Sequence, residues 1–329
     1  LAGVLGAPAY QQTVPYGAHF PSEHPAFMGA LSRDQKQVRN ILAEHDLLIV
    51  AGADVLRMSV WQETDPLPDD LPLVQLGQLD WEMGKNYPAE IAIRADLKAT
   101  LDALIPVLEE AGGEQLRAAA ETRIASVADR NWSSKCKARR AAASGRANAS
   151  PIANDYLMMQ IVDALPEDAV LVNEGLTAAT TLLDMLPFRD VGGFHAFASG
   201  GIGWAIAAAI GIQLARPERP LVAVIGDGSA MYTVQALWTA AHLNLPITYV
   251  IANNQGYRIL KQRLQAFHGN DHFIGMDLDD PPIDFCGLAR SLGLDANRID
   301  DPGEIAGALR DAIASRRPTL LEVMVEREV

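Results

Sequence analysis

Asp227 lies between Gly226 and Gly228, and 24 residues after that triplet the chain reads Asn253-Asn254-Gln255-Gly256. A carboxylate, a side-chain amide oxygen and a backbone carbonyl turned by a glycine make three hard oxygen donors. Asp227, Asn254 and Gly256 thus suit Mg²⁺ or Ca²⁺, with the remaining positions left to phosphate oxygens and water. Gly226 and Gly228 let backbone approach a phosphate closely. Ser229 opens an expected helix whose free N–H groups favour an anion. The pattern spells out a cation–diphosphate clamp. A simpler reading has Asp227 or Ser229 capping the helix and Asn253-Asn254 forming a turn. The paired spacing favours the clamp.

The clamp requires elements that bring its two halves together. Residues 221–225 are a short apolar run before a glycine turn, the mark of a strand buried on both faces. A helix is expected over 230–243 and a second strand over 246–252. Fourteen helical residues run back about 21 Å, and seven strand residues return about 23 Å. Asp227 and Asn254 should therefore finish on one sheet edge, at the carboxyl ends of parallel strands, where open α/β sheets bind ligands.

Two further loops are expected at that edge. Asn173-Glu174-Gly175-Leu176-Thr177 follows a strand at 170–172, and Ser199-Gly200-Gly201-Ile202-Gly203-Trp204 follows one at 195–198. A last strand is expected at 320–325. Helices are expected at 152–165, 178–186, 204–214, 284–292 and 302–314, the first opened by Ser150 as cap and Pro151 at the first helical position. This alternation predicts α/β architecture with a parallel sheet covered on both faces. Residues 1–113 read as a second, smaller α/β unit, with strands at 7–11, 47–51, 73–76 and 91–93 and helices at 33–44 and 97–110. Gly112-Gly113 suits a helix end. Residues 114–149 are charged and Ala-rich and read as a linker helix; Lys135, Lys137, Arg139 and Arg140 on it read as a solvated face. The fold class is thus α/β, two doubly wound parallel-sheet domains (1–113 and 150–329) joined by a linker helix.

A formal net charge of −14 argues against nucleic acid. Two cysteines give neither a disulfide framework nor a metal spacing, so a cytoplasmic setting is expected. No apolar run is long enough to span a bilayer. The N-terminal residues do not form a signal peptide and read as the middle of a domain.

The pairing of Gly226-Asp227-Gly228 with Asn253-Asn254 in strand–turn–helix–strand context resembles the diphosphate motif of thiamine diphosphate enzymes. The resemblance covers nearly the whole chain: 1–113 looks like part of that family's middle domain and 150–329 like its diphosphate-binding domain. Residues 194–254 are most similar to the benzoylformate decarboxylase branch, with acetolactate synthase next. The resemblance implies thiamine diphosphate and Mg²⁺ as cofactors. Leu176 (through its N–H) and Thr177 (through its hydroxyl) would hold the diphosphate, and Tyr257 would join the cofactor contacts. Gly200 would accept from the cofactor's amino group, with Gly201 beside it, and Ile202 would wedge beneath the thiazolium. Glu174 reads as structural.

It also implies a 2-oxo acid substrate, by decarboxylation or carboligation, and a homodimer or homotetramer. The activating glutamate would come from a pyrimidine-binding domain, supplied by the same full-length protein or by a partner chain; it has no counterpart in these residues, so the chain alone is expected to be inactive. Arg263 and Ala196 fall where benzoylformate decarboxylase has aromatic residues, and Ser59 where it has a catalytic histidine. Ile259 and Leu260 complete the expected substrate side, and His268 and His272 are alternative proton carriers. Residues 80–86 look like a segment that lies near FAD in some members; a surface turn accounts for them equally, and FAD is a minor alternative. A non-catalytic subunit of the same fold is a second alternative. An ordinary dinucleotide oxidoreductase is disfavoured, since no Gly-x-Gly-x-x-Gly follows an early strand.

Overall fold

Alternate side chains of the strand Leu221–Gly226 leave on opposite faces of its sheet, and both faces are apolar. Val222 and Val224 enter one buried cluster; Leu221, Ala223 and Ile225 enter another. Ile247–Asn253 divides likewise, with Val250 and Ala252 against Ile247, Tyr249 and Ile251. Such strands must be covered on both sides. Helices Asn154–Ala164 and Ile305–Ser315 cover the first face through Leu157, Ile161, Ile305 and Leu309. Helices Ala205–Ala215, Ala236–His242 and Phe285–Ser291 cover the second through Ile206, Ala209, Leu237 and Phe285.

The computed structural model describes residues 1–12, 16–58 and 62–329. They group into two units, Leu1–Pro15 with Ser22–Ser134, and Tyr16–Pro21 with Lys135–Val329. The segment 114–149, read as a linker, is thus shared between the two. Ser59 and Trp61 lie outside the described residues.

The first unit holds the strands β1 (Ala9–Gln11), β2 (Phe27–Ala30), β3 (Leu48–Ala51), β4 (Leu73–Gly77) and β5 (Ile91–Arg94). β1 pairs with β2 and β4 lies between β3 and β5, all parallel. Helix Gln35–Leu42 is capped by Asp34, whose carboxylate accepts from Gln37 N–H at 2.9 Å, and buries Val38 and Leu42 against Leu56 and Leu71. The helix from Leu97 runs on to Ser126, interrupted at Gly113, whose φ of 52° and ψ of −144° are not helical.

The second unit holds β6 (Val170–Glu174), β7 (Phe194–Ala196), β8 (Leu221–Gly226), β9 (Ile247–Asn253), β10 (Asp295–Ile299) and β11 (Thr319–Met324). They form one parallel sheet in the order β10-β11-β9-β8-β6-β7. β7 lies on one side of β6 and β8 on the other, so the chain reverses its progress across the sheet there. That reversal is the topological switch point at which open α/β sheets carry their ligands.

Four expectations need correction. The helix expected at 230–243 is broken into Asp227–Ala230 and Ala236–His242. Between them stand the adjacent β-branched residues Thr233 and Val234, and Thr233 Oγ1 donates to the Gly203 carbonyl at 2.8 Å, a tertiary bond that competes with the helix. Residues 178–186 form turns and one short 3₁₀ segment, Leu182–Asp184, in place of a helix; Thr180 bonds back to the Thr177 carbonyl at 2.9 Å. Ser150-Pro151 does not start a helix. Ile152 pairs instead with the end of β11, donating to the Met324 carbonyl at 3.2 Å, and the helix begins at Asn154. β2 and β10 were not anticipated; β2 is four residues long and broken by Gly29, and β10 is short and mostly polar. Among the described residues no helix is long and apolar enough to cross a membrane.

Ile225 is fully buried between β8 and its covering helices. Ile225→Ala is expected to cost about 2–5 kcal/mol of stability, the range for such truncations. The check is urea unfolding, in which the midpoint falls while the slope is unchanged.

Candidate active site

The parallel register fixes the meeting of the two halves of the clamp. Gly226 at the end of β8 stands opposite Ala252 of β9, so Asp227 and Asn254 leave the same edge within a residue or two of each other. Their closure is direct: the Gly256 N–H donates to Asp227 Oδ2 at 2.9 Å and to Asn254 Oδ1 at 3.2 Å. Asp227, Asn254 and Gly256 are all buried. Gln255, between them, has φ of +56°, the left-handed region that non-glycine residues enter at a cost. Leu176 across the switch point has φ of +48°. Two non-glycine residues in that conformation flank the Asp227 loop, and neither was legible as such from the chain.

Burial pushes the Asp227 carboxyl up to about 6, against the N–H groups of Gly228, Gly256 and Gln255, which favour its ionised form. This carboxylate is poorly compensated by the protein alone. The neighbouring donors are neutral, an amide and a backbone carbonyl, and among the described residues no cluster of three or more carboxylates, imidazoles or thiols forms. A site with one formal charge suits a hard divalent cation whose remaining charge is met by diphosphate oxygens, the usual division of labour for Mg²⁺. The residues present therefore fit a magnesium diphosphate.

The glycines earn their place by contact. A Cβ on Gly228 would lie 2.5 Å from Tyr257 Cε1, so the Tyr257 ring packs directly on that loop. Burial, then Tyr232 and Asp227, push the Tyr257 hydroxyl up. Gly226 faces the Glu174 and Gly175 carbonyls, each 3.9 Å from its Cβ direction, which brings the β6 and β8 loops side by side. The helix behind Ser229 is a single turn, Asp227–Ala230. Attraction for an anion there rests on individual N–H groups of the loop, since a macrodipole needs several aligned turns.

Glu174 is 1 % exposed, and its carboxylate accepts from the N–H groups of Gly203 and Ala205, the latter at 2.5 Å. Burial raises its carboxyl while those bonds and that of Trp204 N–H act in the opposite direction. The carboxylate thereby anchors the 199–204 loop and the start of helix Ala205–Ala215. That is a structural role, with Ser229 beside it. The anchored loop leaves Gly200, with φ of +79°, and Gly201 exposed and Ile202 half-buried outside both apolar clusters of the second unit. Thr177 is half-buried on the neighbouring loop.

The expected substrate residues are less closely drawn in. Helix Arg258–His268 leads away from Tyr257, with Arg263 and Leu260 exposed and Ile259 half-buried. No hydrogen bond or ion pair among the described residues ties Arg263 to the Asp227 group. Ala196, at the end of β7, is half-buried and donates to the Tyr16 carbonyl at 3.0 Å. His268 and His272 are exposed. In the first unit, residues 80–86 border a polar cleft of about 370 Å³ that Asp54, Arg57, Glu82, Lys85 and Tyr87 line. Arg57 pairs with Asp54 and Lys85 with Glu82, both at 3.4 Å. In the basic cluster on helix Trp132–Ser144, Arg139 pairs with Asp184 and Arg140 with Asp163.

Fold and site together define an α/β protein with an oxygen-donor clamp at the switch point of a parallel sheet. The family profile "Thiamine pyrophosphate enzyme, central domain" matches residues 1–104, and "Thiamine pyrophosphate enzyme, C-terminal TPP binding domain" matches residues 178–323. The chain belongs to the thiamine diphosphate-dependent enzyme family, among relatives of the benzoylformate decarboxylase and acetolactate synthase type. It is 32% identical over 330 residues to benzoylformate decarboxylase of Pseudomonas aeruginosa, covering 98% of this chain and 57% of that protein. It is 28% identical over 291 residues to the acetolactate synthase large subunit of Parasynechococcus marenigrum, covering 87% and 44%. The structure of the thiamine diphosphate-dependent 4-hydroxybenzoylformate decarboxylase of Rhodococcus jostii RHA1 superposes with a TM-score of 0.82 at 26% identity, covering 99% of this chain and 57% of that one. The chain spans about half the length of these relatives.

The raised Asp227 carboxyl has a consequence for stability. Unfolded, it titrates near 3.8; folded, near 6. Between these values the folded chain holds a proton the unfolded chain has lost, so stability falls as pH rises through that window and the full cost stands above it. Asp227→Asn is expected to raise the melting temperature of the metal-free chain at neutral pH and to leave it nearly unchanged at pH 4. An equal shift at both pH values would show that ionisation is not the cause.

Proposed function

We propose that this chain forms the diphosphate-binding and central parts of a thiamine diphosphate- and Mg²⁺-dependent enzyme that acts on a 2-oxo acid. The reaction is non-oxidative decarboxylation of the benzoylformate decarboxylase kind, or carboligation of the acetolactate synthase kind. The observation that carries this reading is the Gly256 N–H shared between Asp227 and Asn254 at the switch point. The setting proposed is cytoplasmic.

Asp227, Asn254 and the Gly256 carbonyl hold Mg²⁺. The Gly226-Asp227-Gly228-Ser229 backbone, Leu176 N–H and Thr177 hydroxyl hold the diphosphate, and Tyr257 closes over Gly228. Gly200 and Gly201 receive the amino end of the cofactor, and Ile202 supports its ring. When bound, thiamine diphosphate supplies the electron sink for cleavage beside the keto carbon. The protein's part is to orient it: Glu174 fixes the loop that carries Gly200 and Ile202, and the β8 and β9 loops fix the other end. A pyrimidine-binding domain, from the same full-length protein or from a partner chain in a homodimer or homotetramer, supplies the activating glutamate. FAD is not part of this proposal.

Two outcomes are expected. Asp227→Ala and Asn254→Ala abolish Mg²⁺-dependent binding of thiamine diphosphate while leaving circular dichroism unchanged; calorimetry that finds native affinity in either variant defeats the metal assignment. The second concerns substrate. Arg263 is a fixed positive charge where benzoylformate decarboxylase has an aromatic group, and a guanidinium favours planar anions. A 2-oxo acid with a second polar or acidic group is expected to be turned over faster than benzoylformate by the full-length enzyme, and Arg263→Ala to narrow the difference. A substrate panel in which benzoylformate leads, or in which Arg263→Ala keeps the same order, refutes the preference.

A further inference from the structure

Glu322 on β11 is a 1 % exposed carboxylate with no part in the clamp described above. Its Oε1 accepts a 2.7 Å hydrogen bond from Asn253 Nδ2, and the Cys286 thiol donates to the same carboxylate. Asn253 turns its other side-chain atom, Oδ1, to the Gln255 N–H at 2.9 Å. The orientation of this amide is forced. A backbone N–H only donates, so the Gln255 N–H must face Asn253 Oδ1, which leaves Nδ2 to donate to Glu322. Gln255 is the residue with φ of +56°, and it connects Asn254 to Gly256. Its side chain is held from outside as well, Oε1 accepting from Arg327 Nη1 at 3.1 Å while Arg327 pairs with Asp279 at 2.6 Å.

A left-handed residue that is not glycine persists only where its surroundings over-determine it. Here the surroundings are Asn253 on the inner side, Arg327 on the outer, and the Leu278 N–H, which donates to the Gln255 carbonyl at 2.9 Å. Relaxation of Gln255 toward ordinary backbone angles would rotate the peptide between Gln255 and Gly256. That rotation would withdraw the Gly256 N–H from Asp227 and Asn254 and so release Gly256, whose own carbonyl lies in the following peptide. We infer that Glu322 and Asn253 are positioning residues that hold the Gln255 turn and so set the oxygen donors of the cation site. The inference rests on the reading of Asp227, Asn254 and Gly256 as cation ligands. Neither Glu322 nor Asn253 is among the residues assigned above to the cation or the cofactor.

The pair is complementary in donors and acceptors, which provides the test. Asn253→Asp places two carboxylates together and removes the donor to Glu322. Adding Glu322→Gln restores one donor and one acceptor in exchanged positions. The probe is Mn²⁺ binding to the 329-residue chain in the presence of thiamine diphosphate, followed by the loss of the free Mn²⁺ paramagnetic resonance signal. Asn253→Asp is expected to weaken Mn²⁺ binding by about tenfold or more, the size of effect seen for groups behind metal ligands. The double variant is expected to recover most of that loss, and Glu322→Gln alone to stay near the parent.

Should Asn253→Asp not fold, Asn253→Ala removes both bonds without adding charge and is expected to show the same loss. A purely structural pair would lower the melting temperature and leave Mn²⁺ affinity intact. Parental affinity in a folded Asn253→Asp or Asn253→Ala chain, or no recovery in the double variant, overturns the inference while the cation site stands. Absence of Mn²⁺ binding to the unsubstituted chain overturns both.

Discussion

One backbone N–H, that of Gly256, is held between a buried carboxylate and a side-chain amide, and the rest of the site is arranged so that it stays there. Asp227 is expensive in this place. Burial raises its carboxyl to about 6, so at neutral pH the chain keeps an ionised group that its surroundings do not fully compensate. A structure built for stability alone would place an apolar residue or an amide there. The cost is understandable if a divalent cation completes the site, because the cation converts an unfavourable charge into a binding contribution.

The second constraint is close approach. Gly228 is pressed by the Tyr257 ring, Gly203 would meet Tyr232 Cβ at 2.5 Å, and Gly175 would meet Ala179 Cβ at 2.7 Å. Each glycine lies near the carboxyl edge and leaves out a side chain where the chain is tightly packed, Gly228 against Tyr257, Gly203 against Tyr232 and Gly175 against Ala179 of its own loop. Glu174 ties the β6 loop to the start of helix Ala205–Ala215 through two backbone N–H groups. Position in this site is therefore carried mostly by backbone and by buried polar side chains that bond to it. The exposed charges contribute less: pairs such as Arg94 with Asp80 or Lys98 with Asp102 are largely solvated, and pairs of this kind are worth little.

The substrate side proposed above draws on a different part of the chain. Arg263, Leu260 and Ile259 follow Tyr257 on a helix whose nearer charges are already committed, Lys261 to Asp277 and Arg258 toward Glu326. Arg263 is the cation of that helix left facing solvent, so the polarity of the region beyond Tyr257 differs from that of an aromatic-lined pocket. In the function proposed above, the cofactor is held by sheet-edge loops and the substrate is met by the helix and segment after them.

The chain by itself determined the sheet and the meeting of Asp227 with Asn254 at its edge. A continuous apolar run such as 221–225 before a glycine turn suits a strand covered on both faces, and successive parallel strands of this kind end at one edge, although the single helix expected between them is broken. Asp227 and Asn254 were legible for that reason, as were the loops at 173–177 and 199–204. Tertiary structure decided what depends on partners distant in sequence. Thr233 found the Gly203 carbonyl and broke a helix that local propensity favoured; Ile152 found the end of β11 and displaced a helix cap. The exact strand order, the bonds of Glu174, and the left-handed turn at Gln255 with Asn253 and Glu322 behind it were not legible. Local sequence sets which elements form, but a buried polar group takes its role from the donor or acceptor that folding brings within 3 Å, and that partner is 69 residues away in the case of Asn253 and Glu322.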